Sequence, residues 1–584
     1  MYLPTTKKEL QKLGWDKADI IILTGDTYID SPFNGAAVVG KYLLKHGFRL
    51  AIIAQPEVDS DRDITRLGEP ALFWGVTGGS VDSMVANYTA SQKWRKQDDY
   101  TPGLENNRRP NRAVIAYSNL IRRFYKDTRP IVLGGIEASL RRIAHYDFWS
   151  NKIRKSILFD AKAEYLVYGM AERAVLELAC CLRSGRAPFD IRGICYISKE
   201  KKNGALELPG FEQVSKDRKA FISMFRDYYA NSDPESARPL IQQYGDRYLV
   251  QNPPAATPDK SELDEIYDIE YERGVHPYYA KMGKVQALDT IGFSITTHRG
   301  CIGECNYCSI TVHQGRQVVS RSESSILAEA RAIAKMKQFK GHISDAGGPT
   351  ANMYGLKCGN VKVKGHCKKR RCLFPKICPN LQPAHKEQAQ LLQKISRLSG
   401  IKKVYLASGI RHDLILHDRK HGPSYLKQVV ENHVSGQLKT APEHTEDKVL
   451  KLMGKPGMEC LMKFKDLFYQ MTNRAGKKQY LTYYIIAAHP GCNEKDMQKM
   501  KAAMSRELNI NSEQVQIFIP LPSTWSSVMY FTEQDPFTGK KLFVEKKGAA
   551  RDRQKQIVVS PESGGSHGYS RKGGRKSLQG RRHR

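Results

Sequence analysis

Short apolar runs alternate with helix-like stretches through the first third of the chain. ADIIILTGD predicts a buried strand that ends in a Gly-Asp turn, and GAAVVGKYLLKHG predicts a helix closed by Gly47. The apolar runs recur in FRLAIIAQP, ALFWGVTGG, RPIVLGGIEAS and EYLVYGMAE. Such alternation favours a parallel, doubly wound sheet, with a cleft at the carboxyl ends of its strands. We therefore expect an α/β domain of this class, like those that bind cobalamin, over residues 1–184.

A second alternating series begins near Ile291. Its predicted strands are GFSITTH, GHISDAGG, KKVYLASG, VSGQLKTAP, YLTYYIIAAHP and VQIFIPLP, and most of the gaps between them are helix-like. Six β-α units predict a partial (β/α)6 barrel over 286–532, with functional groups at the carboxyl ends of its strands.

Three further segments carry no clear alternation. Residues 185–285 include KEKKNG and QNPPAATPDKSE, which predict a connecting region with a Pro-rich linker near Pro253 and Pro254. After Thr532 the pattern stops, so we expect a C-terminal extension over 533–559. Residues 560–584 are rich in Gly, Ser, Arg and Lys, and we expect this basic tail to be disordered.

Charge and apolar content narrow the class of protein. The 584 residues carry a formal net charge of +33, which favours anionic partners, RNA first among them, although a solvated basic surface would have the same charge. The sequence has no apolar run long enough for a membrane span and no apolar core of a signal peptide near its start. We therefore expect no membrane partner and a cytoplasmic location.

Seven of the twelve cysteines lie between Cys301 and Cys378, and the first three are closely spaced. CIGECNYCSI places Cys301, Cys305 and Cys308 in a C-x3-C-x2-C loop directly after the first predicted barrel strand. Soft thiolates suit the irons of a 4Fe-4S cluster, and three of them leave one iron open to chelate the amino and carboxylate groups of S-adenosylmethionine. Zinc usually takes four ligands in paired C-x2-C spacings. The loop therefore predicts a 4Fe-4S cluster.

The same loop resembles the signature of the radical S-adenosylmethionine (radical SAM) superfamily. The wider sequence is similar to the YgiQ-type family of bacterial radical SAM proteins, in MYLPTTKKELQKLGWDKADIIILTGDTYID, HRGCIGECNYCSI, SDAGGPTANMYG, LKTAPEHT and IFIPLPST. The resemblance runs from Met1 to about Val559. It implies an enzyme in which a low-potential electron donor reduces the cluster and S-adenosylmethionine is cleaved to a 5′-deoxyadenosyl radical. It implies no particular substrate.

The resemblance also indicates where S-adenosylmethionine would bind. In the superfamily a glycine-rich turn after the second strand meets the amino group of the ligand; Gly347 and Gly348 match that turn, although Pro349 replaces the acid that usually follows. Candidate cofactor-binding residues are Tyr307, Gly347, Gly348, Ser408 and Glu443. Other polar groups expected at the barrel mouth, each as compatible with a structural role, are Arg411, Lys439, His444 and His489.

A second set of cysteines lies in an insert over 356–380. Cys358, Cys367, Cys372 and Cys378 are separated by eight, four and five residues, and five basic residues lie between Lys364 and Arg371. Four soft ligands near one another could hold zinc or another iron-sulfur cluster, with His366 as a substitute ligand, or they could be reduced thiols in a packed loop. The spacing leaves these alternatives open.

Cobalamin is a candidate ligand for a doubly wound domain that precedes a radical SAM barrel. The usual Asp-x-His-x-x-Gly pattern supplies a histidine to the cobalt, but no histidine lies between Asp26 and Gly35, and His46 falls on the following helix. The sequence therefore does not favour cobalamin, and only binding without a protein ligand stays open; otherwise the domain would be a scaffold or bind substrate. Two functions remain: a radical SAM enzyme of unknown substrate, or an iron-sulfur or zinc RNA-binding protein without turnover.

Overall fold

The computed structural model describes residues 1–359, 367, 370–508 and 515–560. The predicted basic tail lies outside these residues from position 561 onward. Within them the chain folds into a large mixed sheet with helices on both faces, followed by a curved series of parallel strands. No helix in the described part of the chain is both long and apolar enough to cross a membrane.

The elements of the N-terminal half run to residue 291. Its strands are β1 (Ile20–Thr24), β2 (Ile29–Asp30), β3 (Leu50–Ala54), β4 (Phe73–Thr77), β5 (Ile131–Gly134), β6 (His145–Asp147), β7 (Lys152–Arg154), β8 (Tyr165–Val167), β9 (Ile194–Ser198), β10 (Leu206–Leu208), β11 (Leu240–Tyr244), β12 (Arg247–Gln251) and β13 (Gly274–Val275). Its helices are α1 (Lys7–Lys12), α2 (Gly35–Lys45), α3 (Ser83–Asn87), α4 (Ala113–Phe124), α5 (Gly135–Leu140), α6 (Ile157–Ala161), α7 (Glu172–Arg183), α8 (Phe211–Lys216), α9 (Arg218–Ala230), α10 (Lys260–Tyr267), α11 (Pro277–Ala280) and α12 (Ala287–Ile291).

Nine of these strands form one sheet, in the order β10-β11-β12-β9-β8-β5-β4-β1-β3. The pairs β3-β1, β1-β4, β4-β5 and β5-β8 are parallel, as predicted. The prediction of a connecting region over 185–285 is wrong as far as Gln251, because β9, β10, β11 and β12 extend the same sheet. They do so largely as antiparallel strands, so the sheet runs well past residue 184. Antiparallel strands need no crossover helix, which removes the alternation that marks parallel units.

The central strands are buried because each supplies side chains to two cores. Along β1, Ile21 and Leu23 pack into the core on the α4 face, whereas Ile20 and Ile22 pack into the core on the α2 and α7 face. A strand covered by helices on both faces needs apolar residues at every position, which is why this segment reads as one continuous apolar run.

The second half contains the predicted incomplete barrel. Its strands are β14 (Ser294–Thr296), β15 (His298–Arg299), β16 (Val319–Ser320), β17 (His342–Ile343), β18 (Asp345–Gly347), β19 (Lys357–Cys358), β20 (Leu381–Gln382), β21 (Lys403–Val404), β22 (Gln437–Glu443), β23 (Tyr480–Ala487) and β24 (Val515–Ile517). Its helices are α13 (Ile310–Gln314), α14 (Glu323–Ala334), α15 (His385–Ser396), α16 (His412–His417), α17 (Gly422–Asn432), α18 (Asp447–Met453), α19 (Met458–Arg474), α20 (Glu494–Ala503), a π-helical turn (Met504–Leu508), α21 (Trp525–Thr532) and α22 (Gly548–Val559).

Each of the six predicted barrel strands is present and pairs in parallel with the next. β14 pairs with β18, β17 pairs with β21, and a bridge from Ile410 to Thr440 continues to β22, which is followed by β23 and β24. The prediction of an α/β chain with a partial (β/α)6 barrel is therefore confirmed. The last unit also joins the two halves, since Phe518, Trp525 and Val528 pack into a core of the large sheet.

Candidate functional site

The loop that carries the three closely spaced cysteines begins directly after β15. Gly300 has a φ of +81°, and a Cβ there would lie 1.8 Å from the carbonyl oxygen of Gln317. Only glycine fits this close approach between the loop and the chain that returns along it. The sequence thereby fixes the direction in which the following three cysteines leave the strand.

The three thiols lie close together without meeting at one point. The Gly303 amide donates to Cys301 Sγ at 3.4 Å, and a Cβ on Gly303 would lie 3.2 Å from Cys301 Sγ and 3.6 Å from Cys305 Sγ. The Cys308 amide donates to the carbonyl of Cys305 at 3.0 Å. Burial and the neighbouring thiols raise the pKa of both Cys301 and Cys308. All three are half-buried and carry no bond to another cysteine.

The three sulfurs of the triad loop do not have the geometry of a site for a single ion. In the part of the chain that the structure describes, no group of three Cys, His, Asp or Glu side chains has the geometry to hold one metal ion. In a 4Fe-4S cluster each thiolate binds a different iron, so the sulfurs do not converge on a point. The small Gly303 leaves space between two of them, and its amide supplies a donor to a thiolate.

One cation lies against the thiols. Arg411 Nη1 lies 3.6 Å from Cys305 Sγ, while its Nε donates to Asp413 Oδ1 at 2.9 Å. Its backbone is fixed by Asn352, which accepts from the Arg411 amide at 2.8 Å and donates to its carbonyl at 3.0 Å. Asp413 holds this buried guanidinium in place, and Arg411 in turn lowers the pKa of Asp413 to about 2. The positive charge would stabilise the thiolate form that binds iron.

The predicted glycine turn and Ser408 are in contact. A Cβ on Gly347 would lie 3.2 Å from Ser408 Oγ, and Ser408 Oγ donates to Asp345 at the other end of β18. Asp345 Oδ1 also accepts from the amides of Ala407 at 2.8 Å and Ser408 at 3.2 Å. A Cβ on Gly348 would lie 2.6 Å from His298 Nε2, so neither glycine can carry a side chain without displacing its neighbour.

The other two candidate cofactor residues bond to each other. Tyr307 Oη donates to Glu443 Oε1 at 2.7 Å. Burial raises the pKa of Glu443, whereas Lys455, Tyr307 and Arg411 oppose that rise. Glu443 also has a φ of +73° at a register shift in β22, a conformation that non-glycine residues adopt rarely and that concentrates at functional sites. The structure thus brings candidate residues together in two places, Gly347 with Ser408 at β18 and Tyr307 with Glu443 at the end of β22.

The remaining predicted groups at the barrel mouth have structural partners. His489 Nε2 lies 2.7 Å from Ser526 Oγ, and its Nδ1 lies 2.9 Å from the carbonyl of Pro490. His444 Nε2 lies 3.4 Å from Cys492 Sγ. Burial raises the pKa of Asp345, while hydrogen bonds from Ser408 and Ala407 and, as the smallest effect, the charge of Lys439 oppose that rise.

The second cysteine set packs beside the first. Cys378 shares a small apolar cluster with Ile302, with Cys301 and Cys372 at its edge. Burial raises the pKa of Cys372 to about 12, and the neighbouring Glu304 and the other three cysteines of the set add to this shift. Arg371 Nη1 donates to Asn306 Oδ1 at 2.7 Å, which fastens the insert to the first loop.

A cavity of about 560 Å³ adjoins the site. One wall is the carboxyl edge and the α2–α7 face of the large sheet; the other contains His298, Gly347, Gly348 and Ser408. The two halves of the chain therefore enclose a single space that reaches the predicted glycine turn.

Sequence reasoning missed several residues that shape this site. His298 lies against Gly348, and burial lowers its pKa to about 4, so the imidazole is neutral at pH 7. Asn352 and Asp413 fix Arg411, yet each lies in a loop or helix where nothing in the local pattern marks it. The Asp345–Ser408 hydrogen bond joins two segments that are 63 residues apart, and only the parallel pairing brings them together. Of these residues, only His298 could have been noticed in the sequence, because it lies close to Cys301 along the chain.

Comparison with known proteins places the chain in a family. Residues 2–294 match the model of the radical SAM N-terminal family. A UPF0313 protein of Fusobacterium nucleatum is 57% identical over 559 residues, covering 96% of this chain and 98% of the relative. A UPF0313 protein of Thermotoga petrophila is 46% identical over 567 residues, covering 97% of this chain and 99% of the relative.

Two solved structures have a similar backbone path at low sequence identity. TsrM from Kitasatospora setae, a radical S-adenosylmethionine methyltransferase solved with cobalamin and a 4Fe-4S cluster, is 14% identical with a TM-score of 0.48, over 88% of this chain and 78% of that one. OxsB, a cobalamin-dependent S-adenosylmethionine radical enzyme solved with aqua-cobalamin, is 10% identical with a TM-score of 0.49, over 91% and 58%.

Likeness at this level decides neither the cofactor nor the substrate of this chain. Both solved proteins bind cobalamin, whereas the sequence here does not favour it; that expectation stays a prediction. In the structure, Asp26 of the incomplete cobalamin pattern is ion-paired with Arg109 at 2.8 Å, and His46 Nδ1 lies 2.8 Å from the carbonyl of Tyr42. By its relatives and its matching family model, the chain belongs to the UPF0313 family and is a radical S-adenosylmethionine enzyme.

Proposed function

We propose that this enzyme binds a 4Fe-4S cluster through Cys301, Cys305 and Cys308 and reductively cleaves S-adenosylmethionine to begin radical chemistry on a substrate. The observation that carries the proposal is the triad loop, which holds three half-buried thiols at the barrel mouth with the Arg411 guanidinium against one of them. When bound and reduced by a low-potential donor, such a cluster supplies one electron to the sulfonium and breaks a carbon-sulfur bond.

The chain's own residues would bind and orient the reactants. Gly303 spaces the first two thiolates, and the Arg411 charge offsets the negative charge that they bring into a buried site. Gly347 and Gly348 leave backbone groups open to a ligand, and Ser408 and Asp345 offer polar atoms beside them. The Tyr307–Glu443 pair joins the triad loop to the end of β22 and would keep the loop in register with the barrel.

Water exclusion follows from the way the two halves enclose this space. The cavity wall opposite the glycine turn is the large sheet, which would shield a bound molecule from bulk solvent on that side. A carbon-centred radical needs this shielding, because exposure allows side reactions.

The test is cleavage of S-adenosylmethionine by anaerobically reconstituted protein. After reduction with dithionite, the wild-type protein should release 5′-deoxyadenosine and show the electron paramagnetic resonance spectrum of a reduced 4Fe-4S cluster. The matched control is Cys180→Ala, which removes a half-buried thiol on α7 and should change neither signal. A protein that holds the cluster yet forms no 5′-deoxyadenosine would contradict the proposal.

A further inference from the structure

The cavity between the two halves extends far from the triad loop. Its lining includes Gly347 and Ser408 at one end and Ile20, Phe73 and Leu43 at the other, inside the layer between the sheet and α2. The four residue steps from Ile20 to Thr24 alone span about 13 Å at roughly 3.3 Å per residue. The space is therefore an elongated slot that begins at the barrel mouth and enters the N-terminal domain.

A space of this kind is unusual in a protein core. The layer between sheet and helix is normally close-packed, and voids larger than a water molecule are few. Gly75 contributes no side chain in the middle of β4 where the slot passes, and a Cβ there would lie 3.3 Å from Ile22 Cγ1. A glycine inside a strand often marks the close approach of a ligand.

The described wall of the slot offers no free side-chain cation to an anionic ligand. Among the residues that line the slot, Arg299 is the only Arg or Lys, and its guanidinium is ion-paired with Glu172 at 2.6 Å. Asp26 is paired with Arg109, and Asp345 is bonded to Ser408. A phosphate or nucleic-acid backbone would enter without a counter-charge, which is costly in an apolar space.

Three buried side-chain atoms of residues that line the slot have no hydrogen-bond partner: Asn34 Nδ2, Ser80 Oγ and His298 Nε2. Asn34 caps α2 by accepting from the Ala37 amide at 3.2 Å, while its Nδ2 is buried with no hydrogen-bond partner. The residue is 1% exposed and lines the slot. A buried donor of this kind is costly unless a ligand oxygen accepts from it.

We propose that this slot is the substrate site, and that it takes an uncharged, mainly hydrocarbon molecule with a hydrogen-bond acceptor that meets Asn34 Nδ2. The slot leads to the glycine turn at its other end, so one part of such a molecule lies beside the position assigned to S-adenosylmethionine. This inference rests on the proposed function for the identity of the reaction, but the binding of the ligand is independent of turnover.

Two matched dyes test the charge and the place of binding. N-phenyl-1-naphthylamine is uncharged, and 8-anilinonaphthalene-1-sulfonate adds a sulfonate to the same skeleton. In equilibrium dialysis against the anaerobic holoenzyme, the uncharged dye should bind in about one equivalent and at least tenfold more tightly than the sulfonate. Absence of binding, or equal affinity of the two dyes, would overturn the proposal.

Two glycines at helix starts provide a matched pair of variants. Gly134 precedes α5 and lines the slot, with φ −156°, and a Cβ there would meet nothing nearer than the Val167 carbonyl oxygen at 3.9 Å. Gly210 precedes α8 outside the slot, with φ −63°, and a Cβ there would have its nearest contact at 3.6 Å. Gly134→Leu should lower the affinity for the uncharged dye at least tenfold, and Gly210→Leu should lower it less than twofold. If Gly134→Leu does not fold, Val39→Phe on α2 fills the same slot.

A third dye tests the polar contact. Prodan, an uncharged naphthalene ketone, should lose more affinity in Asn34→Asp than N-phenyl-1-naphthylamine does, because the variant keeps the helix cap but removes the donor. Equal losses for both dyes would refute the role of Asn34, and unchanged binding in both slot-filling variants would place the dye elsewhere.

Two measurements separate this inference from the proposed function. Dye binding with no release of 5′-deoxyadenosine would contradict the proposed function and support the slot assignment. Release of 5′-deoxyadenosine without dye binding would support the proposed function and contradict the slot assignment. A stoichiometric cobalt corrinoid in the purified holoenzyme would overturn the substrate assignment, because the slot would then hold that cofactor.

Discussion

The two cysteine loops of the barrel follow neighbouring strands, and they differ in what surrounds the thiols. In the triad loop, a backbone amide donates to Cys301 and the Arg411 guanidinium lies against Cys305. In the insert, Cys378 packs among apolar side chains, and the nearby Arg371 is directed at Asn306 in the triad loop. The triad sulfurs therefore have a donor and a positive charge beside them, whereas Cys378 of the insert lies among apolar side chains.

The largest effect is expected at the triad loop. Replacing Cys301, Cys305 and Cys308 together with Ala should remove all cluster iron and abolish the release of 5′-deoxyadenosine, because these thiolates are the proposed ligands of the cluster that cleaves S-adenosylmethionine. Iron analysis and electron paramagnetic resonance of the reconstituted variant check this. Iron content and spectrum that persist unchanged would assign the cluster to other residues.

Acid should lower the stability of the protein partly through buried histidines around the triad loop. Burial lowers the pKa of His298 and His313 to about 4 and that of His412 to about 3. Because the unfolded chain binds these protons near pH 6.5, stability is present above that pH and is lost as the pH falls toward 4. At pH 5 each of these histidines should lower the free energy of unfolding by about 2 kcal/mol, at 1.36 kcal/mol per pKa unit.

Guanidinium unfolding of the anaerobic protein at pH 7.5 and pH 5 measures this loss. His298→Gln should flatten the pH dependence by about 2 kcal/mol, whereas His417→Gln, at a half-buried position on α16, is the control and should leave it unchanged. A stability that stays constant between the two pH values would contradict the assignment of neutral, buried imidazoles.

Arg411 supplies the positive charge beside the triad thiols, and its replacement tests the effect of that charge. Arg411→Met leaves Asp413 buried without its partner, which should cost about 3–5 kcal/mol of folding stability. It also removes a positive charge from Cys305, so the cluster should become harder to reduce and its midpoint potential more negative. The matched variant Arg371→Met removes the contact of the insert with Asn306 and should leave the midpoint unchanged, as a redox titration would show. Equal shifts in both variants would mean that neither charge acts on the thiolates directly.

In the insert, cysteines can be replaced while the triad loop is left intact. We predict that Cys358, Cys367, Cys372 and Cys378 form a second metal site, so Cys372→Ala with Cys378→Ala should remove about one zinc or a few irons and leave the triad cluster intact. Metal analysis of protein purified without oxygen or chelator measures both. Wild-type protein that holds only the iron of the triad, and no zinc, would make these four cysteines structural thiols.

The smallest effect is expected at the end of the chain. Every described strand of the barrel ends before residue 518, and both cysteine loops precede it, so deletion of residues 560–584 should leave cleavage of S-adenosylmethionine at the wild-type rate. Its measure is 5′-deoxyadenosine released per cluster. A truncated protein that keeps its cluster but cannot cleave S-adenosylmethionine would show that the tail contributes to the chemistry.

The parallel parts of the fold were predictable, and the antiparallel part was not. Strands such as β1 and β4 need apolar residues on both faces and a helix between them, so their positions are visible in the sequence. β11 and β12 lie in the segment expected to be a connection, because a hairpin at the side of a sheet leaves only a short, half-polar pattern. The same holds for the site. The spacing of the triad cysteines predicted them, whereas no local pattern predicted Asn352, Asp413 and His298.

By itself, the sequence determined the class of the protein. Local spacing set the three cysteines in one loop, and local alternation set the two series of strands, because both depend on residues close together along the chain. The tertiary structure alone decided that Arg411 reaches Cys305 across 106 residues and that Asp345 meets Ser408. It also placed the N-terminal sheet over the barrel mouth, leaving between them a slot lined by both halves. Those contacts depend on how strands pair and domains pack, which no local pattern records.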